Sequence, residues 1–208
     1  MTKVKICGMM KAEDIDVARL ADYVGFVVAS RSFRCLELPA AKDLMSIAEQ
    51  RKVMVTTCHD PAMIVKMAGQ LEPDVVQVHN LMGPADLRFI TRKVSGQVWG
   101  LVPMGGGDED ERINRIRNAV NAAVLDTKSP AMGGFGMPHD WVVSRSLRNM
   151  VHPYPVVLAG GLDPENVQAA IHQVEPFCVD VSSGVETGCA KDPQMVRRFI
   201  RLAKGVKE

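Results

Sequence analysis

Eight short apolar runs alternate with eight amphipathic stretches along the whole of this 208-residue chain. The apolar runs cover residues 3–7, 23–28, 52–57, 75–78, 98–102, 122–126, 155–159 and 177–181. The stretches between them cover 12–21, 40–50, 61–69, 84–93, 109–120, 140–150, 164–172 and 193–203, and their periodicity predicts helices. A strand that is always followed by a helix must return in parallel, and eight such units close on themselves. The expected fold is therefore α/β, a single (β/α)8 TIM barrel over residues 1–208. Punctuation supports the helix starts. Asp60-Pro61, Gly83-Pro84, Asp163-Pro164 and Asp192-Pro193 each place proline where a helix needs no N–H, and three of them place an aspartate before it as a cap.

Composition narrows the function. The chain is 47% hydrophobic and 24% charged, with a formal net charge of +1 and scattered Lys and Arg, which favours neither nucleic acid nor a membrane surface. Five cysteines at irregular spacings, with no CxxC pair, point away from zinc and from a disulfide framework. Free thiols suit a reducing, cytoplasmic compartment. No signal peptide or transmembrane span is read from the N-terminus. No linker or composition break divides the chain.

Polar residues at strand ends carry the chemistry. Cys7 ends the first strand in Ile6-Cys7-Gly8, and Asp126 ends the sixth in Val124-Leu125-Asp126-Thr127. In a barrel of parallel strands both open onto one mouth, where a thiol and a carboxyl form a base and acid pair. A free cysteine is most often a small buried apolar residue; its place at a strand end before glycine favours the functional reading. Side chains alternate along a strand, so Lys5 points the same way as Cys7, and its ammonium is expected to favour the thiolate. Asp126 ends an apolar run, where a carboxylate is costly unless used or paired, with Lys128 one possible partner. Asp180 has the same placement on the eighth strand and either orients substrate hydroxyls or holds a loop. Arg34, in Ser32-Phe33-Arg34, offers a guanidinium that can bind a carboxylate bidentately. Gln77 and His79 end the fourth strand, and His79 is read as structural rather than as the base.

Two glycine turns follow the last strands. They are Leu158-Ala159-Gly160-Gly161-Leu162 and Asp180-Val181-Ser182-Ser183-Gly184-Val185-Glu186. Glycine lets backbone N–H groups approach an anion, and the loops after strands 7 and 8 of such barrels are a frequent phosphate site. Gly160, Gly161, Ser183 and Gly184 are thus the expected phosphate binders. Gly133-Gly134-Phe135-Gly136 is a candidate covering loop, and Met104-Gly105-Gly106-Gly107 a candidate flexible lid.

Taken together, these motifs resemble the phosphoribosylanthranilate isomerase family over nearly the whole chain. Val4-Lys5-Ile6-Cys7-Gly8 and Val179-Asp180-Val181-Ser182-Ser183-Gly184-Val185-Glu186 are its most specific parts; Gln77-Val78-His79 and Leu125-Asp126-Thr127 add to it. The resemblance implies an Amadori rearrangement of phosphoribosylanthranilate in tryptophan biosynthesis, without metal or organic cofactor. Asp126 would be the general acid that opens the furanose ring, Cys7 the general base, and Arg34 the partner of the anthranilate carboxylate. The glycine loops would hold the phosphate of a small-molecule substrate, in a monomer or a homodimer. The chain departs from the family's usual residues at Phe33, Asn80, Phe135 and His139. Two alternatives stand beside this reading. One is a histidine-pathway or dual-specificity phosphoribosyl isomerase, which Cys7 argues against because that family resembles this one but uses an aspartate there. The other is a non-catalytic barrel that binds a phosphorylated sugar, motivated by Phe33 and Phe135.

Overall fold

A computed structural model describes residues 1–127 and 140–205. Eight parallel strands form a closed ring: β1 (Lys3–Cys7), β2 (Tyr23–Val28), β4 (Arg51–Thr56), β5 (Val75–Val78), β6 (Gln97–Met104), β7 (Ala122–Thr127), β8 (Val156–Leu158) and β9 (Cys178–Val181). Closure is direct, since β1 pairs with β2 on one side and with β9 on the other. The two-residue β3 (Cys35–Leu36) adds to the outer end of β2, and β10 (Glu186–Thr187) and β11 (Ala190–Lys191) make a small hairpin after β9. The described helices are α1 (Ala12–Val17), α2 (Leu38–Ile47), α3 (Pro61–Leu71), α4 (Pro84–Lys93), α5 (Glu109–Ile116), α6 (Trp141–Val151), α7 (Val167–Val174) and α8 (Pro193–Ala203).

Alternation along each strand sorts the side chains into two cores. Val4, Ile6, Val24, Phe26, Met54, Val76 and Leu125 face outward and pack under the helices with Ile64, Leu87, Ile90, Val196 and Phe199. Tyr23, Val53, Val55, Val75, Trp99, Val124, Val157 and Cys178 face inward and fill the barrel. Trp99 is fully buried there, edge-on to Tyr23 with ring centroids 5.2 Å apart, and its indole N–H donates to Gln97 Oε1 at 3.2 Å. The barrel is thus a packed core whose polar groups gather at one end.

Helix starts follow the caps. The Asp60 carboxylate accepts from the N–H groups of Ala62 and Met63, and the Asp192 carboxylate from those of Gln194 and Met195. Asp163 also accepts two N–H bonds, but they close a turn over residues 164–166 and α7 begins only at Val167. α1 and α5 stop short of the expected ends because the backbone tightens: Ala21 N–H bonds the Ala18 carbonyl and Ala119 N–H bonds that of Ile116.

Truncating Trp99 to alanine empties the largest side chain of the barrel interior. Trp99→Ala is expected to lose about 3–5 kcal/mol of stability in urea unfolding; a loss under about 1 kcal/mol would mean the inner core is not packed as described.

Candidate active site

The strand ends at one mouth of the barrel bring together Cys7, His79, Asp126, Asp180 and the glycine loops. The site is built on Lys5. Its side chain lies wholly inside the barrel, with Nζ 2.7 Å from Asp180 Oδ2 and the Cys7 side chain beside it at Gly25. β1 and β9 place the two charges opposite each other, since Lys5 and Asp180 are register partners. Burial would discharge the ammonium, but the charges of Asp180 and Cys7 outweigh it and hold Lys5 protonated.

Cys7 is 9% exposed, at the upper edge of this cluster. Burial pushes its thiol up, and Lys5, with Lys191 behind it, pulls it down. Lys5 does favour the thiolate, as expected, but burial is the larger effect, so the ammonium limits the rise rather than reversing it.

Asp126 ends β7, with about a quarter of its side chain open to solvent. Burial raises its carboxyl above the usual range; His79 opposes this and the Asp180 charge adds to it. His79 Nε2 is 3.6 Å from Asp126 Oδ2. On the other side, Gly160 has φ +78°, and a Cβ there would stand 2.8 Å from Asp126 Oδ1 and 2.2 Å from Thr127 Oγ1. Only glycine lets the β8 loop lie this close to the carboxyl. Lys128, the alternative partner weighed for Asp126, lies outside the described residues, as do Gly133-Gly134-Phe135-Gly136 and His139.

The two glycine turns meet backbone to backbone. A Cβ on Gly184, within the 3₁₀ turn Ser183–Val185, would come 1.9 Å from the Leu162 carbonyl oxygen. Gly160, Gly161, Ser183 and Gly184 therefore form one continuous rim beside Asp126. Asn166 Nδ2 pins the Gly161 carbonyl at 2.8 Å, and Ser182 Oγ donates to the Cys7 carbonyl at 3.1 Å.

Arg34 stands at the same mouth, its guanidinium 4.2 Å over the Phe33 ring. Both arms of its fork bond the Glu186 carboxylate, Nε at 2.8 Å and Nη2 at closer range. Lys191 Nζ reaches the same carboxylate at 2.5 Å and the Ser182 carbonyl at 3.1 Å. Glu186 and Lys191 were missed in the sequence because their meeting depends on the β10–β11 hairpin, which pairs them across five residues. A charged pair flanking Gly188 was the available signal. The Met104-Gly105-Gly106-Gly107 segment, expected as a lid, is tied down: Gly105 and Gly106 N–H groups donate to Glu109 Oε1 at 2.7 and 2.8 Å.

Among the described residues no group of three or more His, Cys, Asp and Glu side chains is close enough to hold a metal ion. No described helix is long and apolar enough to cross a membrane.

A thiol, a carboxyl raised above its usual range and two fused glycine loops at the mouth of a (β/α)8 barrel suit an isomerase acting on a sugar phosphate. Comparison with known proteins sharpens this. The family model described as N-(5'phosphoribosyl)anthranilate (PRA) isomerase matches residues 4–202. The N-(5'-phosphoribosyl)anthranilate isomerase of Methanothrix thermoacetophila is 39% identical over 98% of this chain and 99% of its own length. The crystal structure of phosphoribosyl anthranilate isomerase from Thermotoga maritima superimposes with a TM-score of 0.89 at 34% identity, covering 99% of this chain and 100% of that one. A further phosphoribosyl anthranilate isomerase structure, in complex with reduced 1-(o-carboxyphenylamino)-1-deoxyribulose 5-phosphate, covers 99% and 100% at 32% identity with a TM-score of 0.85. The chain belongs to the N-(5'-phosphoribosyl)anthranilate isomerase family.

The Glu186 cluster has a consequence for acid stability. Burial alone would raise the Glu186 carboxyl, but hydrogen bonds from Arg34 and Lys191 outweigh it and hold the group below the usual carboxylate range. A depressed folded value means the stabilisation is present above the unfolded value and lost as pH falls through the folded one. Unfolding free energy is expected to drop below about pH 4.3 and to drop less steeply in Glu186→Gln; identical slopes in urea titrations across that range would contradict the cluster.

Proposed function

We propose that Cys7 and Asp126 are the base and acid of the isomerisation that this family carries out. The chain is an isomerase of tryptophan biosynthesis, converting N-(5-phosphoribosyl)anthranilate to 1-(2-carboxyphenylamino)-1-deoxyribulose 5-phosphate. The observation that carries the residue assignment is the Asp126 carboxyl at the mouth, raised above its usual range by burial, which favours the protonated form an acid needs.

The chemistry needs one proton delivered and one removed. Asp126 gives its proton to the furanose ring oxygen, the bond from that oxygen to the anomeric carbon breaks, and the anthranilate nitrogen lone pair forms the iminium. Cys7, as thiolate beside the Lys5 ammonium, takes the proton from the neighbouring sugar carbon. The C–H electrons become the carbon–carbon double bond of an enolamine, which tautomerises to the ketone. Each positioned proton transfer is worth roughly 10²–10⁴ in rate.

Binding falls to the surrounding groups. The backbone N–H groups of the Gly160-Gly161 and Ser183-Gly184 turns receive the phosphate. Arg34 receives the anthranilate carboxylate, exchanging or sharing its present partner Glu186. Asp180 Oδ1 is buried with no partner among the described residues and is placed to accept from a sugar hydroxyl, while Oδ2 stays on Lys5. The chain works in the cytoplasm on a small phosphorylated substrate, as a monomer or a homodimer.

Substrate made in place from anthranilate and phosphoribosyl pyrophosphate allows the test, because its fluorescence decays on conversion. Asp126→Asn is expected to lower kcat by at least ~10²-fold while still binding a product analogue, and Cys7→Ser to fall by a similar factor, since a hydroxyl is a far weaker base. Turnover near wild type in either variant would remove that residue from the mechanism.

A further inference from the structure

Gln77 on β5 and His79 just past its end lie two residues apart and so face the same, inner side of the barrel, and the reaction as described uses neither. Gln77 is 2% exposed and lies in the barrel interior; His79 stands above it at the mouth, a third of its side chain open to solvent. The Gln77 amide nitrogen is 3.4 Å from His79 Nδ1, and His79 Nε2 is 3.6 Å from Asp126 Oδ2. The three side chains thus form a line from core to acid.

We propose that Gln77 and His79 are positioning residues that decide which oxygen of Asp126 carries the departing proton, a reading that rests on Asp126 being the acid. An amide N–H directed at Nδ1 makes that nitrogen the acceptor, and a neutral imidazole then bears its hydrogen on Nε2. That hydrogen faces Oδ2. A carboxyl does not hold its own proton on the oxygen that faces a donor, because two hydrogens would then collide. The proton is left on Oδ1, the oxygen against Gly160, where the glycine rim begins. Oδ1 is therefore the oxygen on the side of the glycine rim, where the phosphate is proposed to bind.

The spacing adds a second effect. At 3.6 Å the His79–Asp126 contact is longer than a formed hydrogen bond. It gains strength as Asp126 loses its proton and becomes an anion, so the N–H supports the transition state more than the resting state. Of the other groups facing Asp126, the Thr127 backbone N–H also bonds the carboxyl, and the remaining side chains supply no such donor. Lys5 and Cys7 on β1 and Asp180 on β9 are committed to one another, while Pro103, the β6 register partner, and Gly160 at the β8 end carry no titratable side chain.

Nitrogen-15 NMR of the wild-type protein reads the tautomer without any substitution. The Nε2–H form is expected for His79; the Nδ1–H form would overturn the proposal. In kinetics, His79→Leu is expected to lower kcat on the order of ten- to a hundredfold with KM within about twofold. Its kcat–pH profile should extend to higher pH, because an Asp126 anion without its donor is less stable and the acid keeps its proton longer. His79→Gln, which can present an N–H toward Oδ2, should recover most of the loss, and Gln77→Leu should show a smaller loss in the same direction. A wild-type kcat and pH profile in His79→Leu, or no recovery in His79→Gln, would overturn the proposal. Asp126→Asn run alongside separates the two levels. If it is inactive while His79→Leu is unaffected, only the positioning role falls; if it is active, the acid assignment falls and takes the positioning role with it.

Discussion

The ion pair between Lys5 and Asp180 is the interaction on which the rest of the site depends. Both charges are taken out of water at the centre of the barrel. Such a pair gains little net stability over an apolar one, but breaking it by removing one partner typically costs about 3–5 kcal/mol. Its value here is placement. It locks β1 to β9 at one register, fixes the ammonium below Cys7, and leaves Asp180 Oδ1 without a partner among the described residues. An apolar pair would close the barrel equally well and would leave the thiol with burial alone, which drives it away from the thiolate.

Close approach sets the rim in the same way that charge sets the floor. The loops after β8 and β9 touch through backbone at Gly184 and press on Asp126 at Gly160. Moving either loop therefore moves both the glycine rim and the Asp126 carboxyl. Arg34 belongs to this assembly through Glu186, which also holds Lys191 over the Ser182 carbonyl. The Glu186 carboxylate fills the guanidinium fork bidentately, so the charges at this side of the mouth are balanced.

Much of this was legible in the sequence because strand ends in a parallel barrel converge by topology. The limits of β1, β2 and β5, and of α4 and α8, follow from apolar runs bounded by turn residues. Cys7 and Asp126 stood out as polar residues closing such runs. Contacts set by tertiary geometry were not readable. Glu186 and Lys191 meet through a two-residue hairpin too short to leave a periodic signal, and His79 reaches Asp126 across β6, with no sequence spacing to mark it. The tri-glycine segment misled for a chemical reason: glycine suggests freedom, but these N–H groups wrap the Glu109 carboxylate. Caps misled at Asp163, whose two N–H bonds stabilise a turn as readily as a helix start.

The central claim is that a buried ammonium keeps Cys7 usable as a base. The direct measurement is the pH dependence of iodoacetamide alkylation at Cys7, mapped by mass spectrometry, in the wild type and in Lys5→Met paired with Asp180→Asn. The paired change avoids stranding a charge in the core. Lys5 opposes the rise of the Cys7 thiol more strongly than Asp180 promotes it. The account therefore predicts that the midpoint for alkylation moves to higher pH in the paired variant. An unmoved midpoint in a folded variant would contradict it, and would mean that Lys5 holds the barrel together without tuning its base.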